Sequence, residues 1–270
     1  MDSTMENLKK IELDILKEFV KICMSNSLTY FMLGGSALGA VRHNGFIPWD
    51  DDIDVALPRT DYEKFLKIAQ TYLPENMFLQ TYETDKNYPQ AFAKIRRNDT
   101  TFIEKPSSRI KMNHGVYIDI FPLDGYPQHF KEKVSFLIKK KISKTIISCV
   151  FISDNAFKKV IKKIISFFCR NYQKEVKNLD ILYKKYPYEN SQTVANFSGA
   201  WGAKEIVPKN YFRKGVAGNF EGIEVNLPEK YHEYLTALYG DYMTPPPPEK
   251  RIGHHHCTII DLQKSYKNYI

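Results

Sequence analysis

The chain of 270 residues is long enough for one large domain or two small ones. Its 43% hydrophobic and 26% charged residues, with 17 Phe and 18 Tyr, exclude a disordered polymer, and its four cysteines contain no C-x-x-C pair, which excludes a disulfide framework and a zinc ribbon. The net charge of +8 belongs to one segment: Phe130 to Asn178 carries 13 basic residues against 3 acidic, while the remainder carries 26 against 28.

The N-terminus has acidic residues where a secretory signal needs an apolar run, so the expectation is a cytoplasmic protein in a reducing compartment. At a membrane it is expected to be peripheral, on the cytoplasmic face. From Thr4 to Asn26, Leu8, Ile11, Ile15, Phe19 and Ile22 recur every three or four positions, which predicts an amphipathic helix. A short buried strand is expected at Thr29 to Leu33, stopped by Gly34-Gly35, and a short helix at Ser36 to His43. Asp52 to Leu57 alternates acidic and apolar residues like a strand with one wet face. Further on, the pattern predicts a helix at Asp61 to Tyr72 and strands at Met77 to Thr81, Ala91 to Arg96 and Gly115 to Phe121. Phe130 to about Tyr186 reads as two Lys-rich helical stretches broken near Ser153-Asp154-Asn155. A helix at Glu229 to Tyr239, the run Pro245 to Pro248 and a His cluster close the chain.

The chemistry concentrates in Leu33 to Val55, LGGSALGAVRHNGFIPWDDDIDV. Gly-Gly-Ser between a strand and a helix exposes backbone N–H groups at a helix N-terminus, where an anion such as phosphate can approach closely. Taken alone, such a turn more often just reverses the chain. Side chains two apart on a strand share a face, so Asp52 and Asp54 are expected as neighbours whose mutual repulsion a cation would relieve. Oxygen-only ligands suit Mg²⁺ or Mn²⁺, and a solvated acidic edge is the plain alternative. Asp119, between Ile118 and Ile120 on another apolar strand, needs a partner, whether a metal, an arginine or backbone donors. Together these features point to metal-assisted transfer from a nucleoside diphosphate.

The runs GGSALGAVRHNGFIPWDDDIDVALPRTDYEKF, FAKIRR at Phe92 to Arg97, HGVYIDIFPLDGYP at His114 to Pro127 and YLTALYGDYMTPPPPEKRIGHH near the end resemble the LicD family of bacterial phosphotransferases, which is related to fukutin-type proteins. The resemblance covers nearly the whole chain. It implies an α/β (α+β) fold with a nucleotidyltransferase-like mixed sheet flanked by helices, and transfer of phosphocholine from CDP-choline to a sugar of teichoic acid or lipopolysaccharide. Mg²⁺ or Mn²⁺ is the implied cofactor, and a lipid-linked glycan the expected acceptor.

By the same resemblance Gly35 and Ser36 match the phosphate-binding turn and Asp52 and Asp54 the metal pair. Asp119 matches the later-strand carboxylate, which either completes the metal site or acts as base toward the acceptor hydroxyl; both roles stay open. Arg42 and His43, at the far end of the short helix, are candidates to touch phosphate or shape the loop. Asp50 shares the face of Asp52 only if the strand begins early, which Pro48 opposes, and Asp51 is expected to point away. Lys94 and Arg96, on one strand face, suit diphosphate charge, with salt bridging as the alternative. The family pattern places Arg251 and one histidine of the run His254 to His256 at the active site, with His254 and His255 as the candidates and the choice left open. For a quaternary ammonium, Trp49, Trp201, Tyr211, Phe212 and Tyr242 are the ring candidates.

The domain reading is one catalytic unit over 1–270: a core at 1–127, a Lys-rich helical insertion at 128–187, and a region at 188–270 that covers the active site. The Lys-rich helices suit either a solvated face or contact with an anionic membrane or polyanionic acceptor. Alternatives are a nucleotidyltransferase that attaches NMP to an acceptor, and a non-catalytic polyanion- or membrane-binding module. No nucleic-acid partner is expected, because no stacking platform interleaves with the basic run.

Overall fold

A computed structural model describes residues 3–153, 160, 171–251, 253 and 257–270. Six helices are present among the described residues: α1 (Ser3–Ser25), α2 (Gly34–His43), α3 (Arg59–Tyr72), α4 (Phe130–Ser148), α5 (Tyr172–Lys184) and α6 (Tyr231–Tyr239). They flank a curled mixed sheet of β1 (Phe31–Met32), β2 (Asp54–Pro58), β3 (Met77–Gln80), β4 (Ala93–Arg97), β6 (Val116–Gly125), β7 (Thr193–Ala195) and β8 (Val207–Pro208). The order β1-β2-β6-β4-β3 makes β6 the centre; its far end turns to pair with β7, which pairs with β8. β2 and β6 run parallel, and every other pairing in the sheet is antiparallel. Two small ribbons stand apart, β5 (Thr101–Glu104) with β11 (Cys257–Asp261), and β9 (Val216–Phe220) with β10 (Ile223–Leu227).

The predicted α1 forms because its apolar stripe has somewhere to go. Ile15, Leu16 and Phe19 are fully buried in one core with Val55, Ile95, Ile118 and Ile120 of the sheet. Alternation on the central strands therefore sends these residues to the core and their neighbours Asp54, Lys94 and Asp119 the other way. A smaller core under α4 and α5 joins Phe136 and Ile147 to Val176, Leu179, Tyr183 and Phe197.

The structure shifts one predicted boundary with consequences. β2 starts at Asp54, not Asp52, so the acidic run Asp50-Asp51-Asp52 lies in the loop that enters the strand. That loop is braced from below by α1, whose Lys9 ammonium donates to the Ile47 and Pro48 carbonyls at 3.4 and 3.3 Å. It is braced from the side by the β9–β10 hairpin, whose Glu221 carboxylate accepts the Phe46 N–H at 3.2 Å.

Candidate active site

Register puts three charged side chains in one row. Asp54 on β2 lies opposite Asp119 on β6, and Asp119 lies opposite Lys94 on β4. Because directly paired residues share a sheet face, the row reads carboxylate, carboxylate, ammonium. The Lys94 ammonium contacts Asp119 Oδ1 at 2.5 Å and sits 3.3 Å from the centre of the Tyr117 ring. Burial lowers the Lys94 pKa, and Asp119 opposes that shift.

The acidic loop meets this row at the start of α2. A cleft of about 260 Å³ is lined by Gly34, Gly35, Asp52, Asp54 and Asp119, with Phe92, Phe121, Trp201, Glu205 and Tyr234 around them. Gly34 and Gly35 are required here by space. A Cβ on Gly35 would stand 2.5 Å from Asp50 Oδ2, and Gly34, at φ +50°, lies 3.4 Å by the same measure from Asp54 Oδ2. The glycines thus let two carboxylates approach the positive end of a helix, an arrangement its dipole favours. The Gly34 N–H donates to the Tyr234 hydroxyl at 3.2 Å, which ties α6 to the same turn.

Carboxylate crowding is the electrostatic signature of this cleft. One oxygen each from Asp50, Asp51 and Asp52 lies within 4.8 Å of the others. Asp50 and Asp51 are only 7% and 5% exposed. The Asp54 carboxyl is held well above the usual range by burial and then by Asp52, Asp119 and Asp50. Glu12 of α1, buried behind the loop, is pushed up by burial and then by Asp52 and Asp51. An all-oxygen donor set this crowded with carboxylates fits a hard divalent ion, for which Mg²⁺ or Mn²⁺ has the right ligand preference.

Of the residues expected at the site, Gly35, Asp52, Asp54 and Asp119 share the cleft. Ser36 stands behind its wall, where the hydroxyl accepts the Asp54 N–H at 2.8 Å and so fixes β2 against α2. Lys94 reaches the site through Asp119, whereas Arg96 is wholly buried and donates to Gln80 at 2.6 Å and to the Gly115 carbonyl at 2.7 Å. Arg42 and His43 do not line the cleft: Arg42 donates to the Tyr242 carbonyl at 2.5 Å, and the His43 ring packs edge-on against Trp49. The Arg251 guanidinium lies over the Trp49 ring at 5.3 Å and donates to the Pro246 carbonyl at 2.8 Å. His254 and His255 lie outside the described residues. Among the ring candidates only Trp201 lines the cleft, whereas Phe212 is core, packed on Phe31 and Tyr234.

Two corrections concern the loop. Asp51 does not stand apart from its neighbours, and Asp50, which Pro48 seemed to exclude from a strand face, reaches the Gly35 turn from a loop instead. Glu205, at the end of a short 3-10 helix, and Gln90, between Pro89 and Ala91, also line the cleft although the sequence pattern does not single them out.

Comparison with known proteins supplies the family. Residues 27–150 match the family model described as LicD/FKTN/FKRP, nucleotidyltransferase domain. The chain is 32% identical over 262 residues to the lipopolysaccharide cholinephosphotransferase LicD of Haemophilus influenzae, an alignment that covers 93% of this chain and 96% of that protein. The chain belongs to the LicD family. It is an enzyme of that family, and the acidic loop, the Gly-Gly turn and Asp119 all fall inside the matched nucleotidyltransferase region. A shorter match, 30% identical over 116 residues and 43% of this chain, is to an uncharacterized protein of Rickettsia prowazekii, covering 40% of that protein.

Proposed function

We propose that this LicD-family chain transfers phosphocholine from CDP-choline to a hydroxyl of a bacterial surface glycan. The observation that carries the reading is the convergence of Asp52, Asp54 and Asp119 with the Gly34-Gly35 turn in one cleft of a chain similar along 93% of its length to a lipopolysaccharide cholinephosphotransferase. In the reaction the acceptor oxygen forms a bond to the phosphocholine phosphorus, the P–O bond to CMP breaks, and CMP leaves with the bonding electrons while the hydroxyl proton is released.

Asp52 and Asp54, with Asp50 beside them and Asp119 opposite Asp54, would hold Mg²⁺ or Mn²⁺. When bound, the ion neutralises diphosphate charge and stabilises the leaving CMP. The chain supplies the rest. The Gly34-Gly35 turn lets phosphate oxygens reach the helix N-terminus without meeting a Cβ. Ser36 holds Asp54 in place through its backbone. Lys94 keeps Asp119 oriented and screens its charge from Asp54. Trp201 and Glu205, on the cleft wall, offer a ring and a carboxyl to a quaternary ammonium, which has no N–H to donate and is held by the ring face and by charge.

α4 is read as part of an insertion in one catalytic unit and faces an anionic surface, where a lipid-linked acceptor would be presented; the lysines of the second Lys-rich stretch, Lys158, Lys159, Lys162 and Lys163, lie outside the described residues. No described helix is long and apolar enough to cross a membrane. Core residues Phe136, Ser143 and Ile147 mark one side of α4, yet the other carries Phe130, Leu137, Ile138 and Ile142 exposed, with lysines on both flanks. That pattern suits the headgroup region of an anionic leaflet.

A thermal-shift assay tests the donor and metal together. CDP-choline should raise the melting temperature only with Mg²⁺ or Mn²⁺ present, and the shift should vanish in Asp52→Ala, as linkage requires of a ligand that binds the folded state. A shift of equal size in metal-free buffer or in the variant would remove the assigned site.

A further inference from the structure

A second, smaller cavity of about 180 Å³ adjoins the cleft, and Gln90, Phe92 and Asp119 line both. Lys94, Arg96 and Glu104 complete its charged wall, and Tyr88 and Phe92, whose rings meet edge to face at 6.2 Å, form an apolar one. Tyr88 and Arg96 are the informative pair. Both are buried, at 1% and 0% exposure, both line this cavity, and each carries a polar atom that has no hydrogen-bond partner: the Tyr88 hydroxyl and Arg96 Nη2. Arg96 uses its other two nitrogens on Gln80 and Gly115, so one arm of the guanidinium is unsatisfied. Buried donors left unpaired are rare, and each calls for a ligand oxygen or an ordered water.

We propose that this cavity holds the sugar ring of the acceptor, with the reacting hydroxyl presented at the wall formed by Asp119. The inference rests on the transfer reaction proposed above and deepens it by saying where the acceptor sits. The chemistry of the wall selects the ligand. A quaternary ammonium offers no oxygen to the two waiting donors and would face both Lys94 and Arg96. A phosphate would lie against Glu104 and Asp119. A polyol both accepts and donates, so it meets the guanidinium, the phenol and the carboxylates together, and its C–H faces suit the Tyr88 and Phe92 rings. The size agrees: the cavity is well below the roughly 300–1,000 Å³ of pockets that take drug-sized ligands, and has room for one small ring. The position agrees as well, since a hydroxyl entering here meets Asp119 from a cavity that Gly34 and Gly35, which line the larger cleft, do not line.

The test uses the full chain with CDP-choline, Mg²⁺ and lipopolysaccharide lacking phosphocholine, with CMP release as the readout. Tyr88→Phe removes only the unpaired hydroxyl. The expected result is a KM for lipopolysaccharide raised about three- to tenfold, the range for one lost hydrogen bond, with the KM for CDP-choline unchanged. If the hydroxyl is satisfied by water or serves structure alone, the acceptor KM stays at the wild-type value, and that result overturns the assignment. A raised KM for CDP-choline also overturns it, by giving the cavity to the donor. Saturation-transfer NMR with methyl glucoside and methyl galactoside needs no turnover: signal in the wild type that weakens in Tyr88→Phe supports the site even if CMP release fails and the transfer reaction falls. No signal with either glycoside, together with an acceptor KM that does not move, sinks the site while leaving the transfer reaction standing.

Discussion

In the cleft, aspartates from one short loop and two strands are drawn inward until burial and mutual repulsion hold Asp54 well above its ordinary pKa. On α4, six lysines in nineteen residues are spread around the outward side of a helix. Both regions are strongly charged, yet only the first concentrates its charge. Concentrated burial of like charges costs stability and persists where a ligand repays it, whereas dispersed surface charge costs little and acts at a distance. On the function proposed above, the difference separates a site for chemistry from a surface for approaching the acceptor.

The two regions are joined by one buried ion cluster. Arg59, at the start of α3, donates to both oxygens of Asp124 on β6 at 2.7 and 2.6 Å and to Asp180 on α5 at 3.0 Å. Tyr82 and Lys184 complete the shell around Asp180, at 2.7 Å each. This cluster fastens α5, and through it the smaller core beneath α4, to the sheet that carries the cleft.

The largest effect should come from the cleft. Asp54→Asn is expected to lower CMP release about 10³-fold, and the same variant should melt higher than wild type in metal-free buffer, because it removes a carboxyl whose ionisation its neighbours oppose. A lower melting temperature would mean that the carboxylate is structural. Next is the joint between the regions. Arg59→Ala leaves Asp124 without its ion-pair partner, while Asp180 keeps Tyr82 and Lys184, and should cost about 3–5 kcal/mol, measured by urea unfolding. A loss under about 1 kcal/mol would show that the two regions are fastened by packing alone.

A smaller, pH-dependent effect belongs to Glu205. Burial pushes its carboxyl up to about 7, against the pull of the Trp201 N–H, Lys140 and Lys144. A raised carboxylate binds a proton more tightly folded than unfolded, so its contribution to stability is fullest below the unfolded value near 4.5 and is lost as pH rises toward 7. Glu205→Gln should therefore raise stability at pH 8 by on the order of 1–3 kcal/mol and change it little at pH 4.5; melting curves at the two pH values check this. The smallest effect is on the outer face of α4. Leu137→Glu with Ile138→Glu should weaken binding to vesicles rich in phosphatidylglycerol about tenfold and leave neutral vesicles and thermal stability unaffected. Equal binding by the double variant would reduce α4 to a solvated face.

Much of this was legible in the sequence where a short-range pattern carries the information. The stripe of α1 and the alternation around Asp119 follow from period and neighbours alone, and the Gly-Gly turn with its following acidic run locates the cleft. The boundary of β2 was not legible, because alternation in Asp52 to Leu57 looks the same whether the first two residues are paired or free. That error hid Asp50 and Asp51, which act from a loop where no strand rule applies. The β9–β10 hairpin left a trace that pattern reading passed over: Glu221 and Gly222 both have positive φ, as a two-residue turn between strands demands. The pairing of β5 with β11, across about 155 residues, left none. Nor could the second cavity be foreseen, since Tyr88, Arg96 and Glu104 meet only after two strands and a loop have been placed.

The most direct measurement follows two labels in CDP-choline, one in the choline methyl groups and one in the cytidine, during incubation with Mg²⁺ and lipopolysaccharide. The choline label should enter the glycan while the cytidine label leaves as free CMP, and both transfers should fail in Asp54→Asn. Cytidine label in the acceptor, or choline transfer that survives in Asp54→Asn, would contradict a carboxylate-held metal site for phosphocholine transfer.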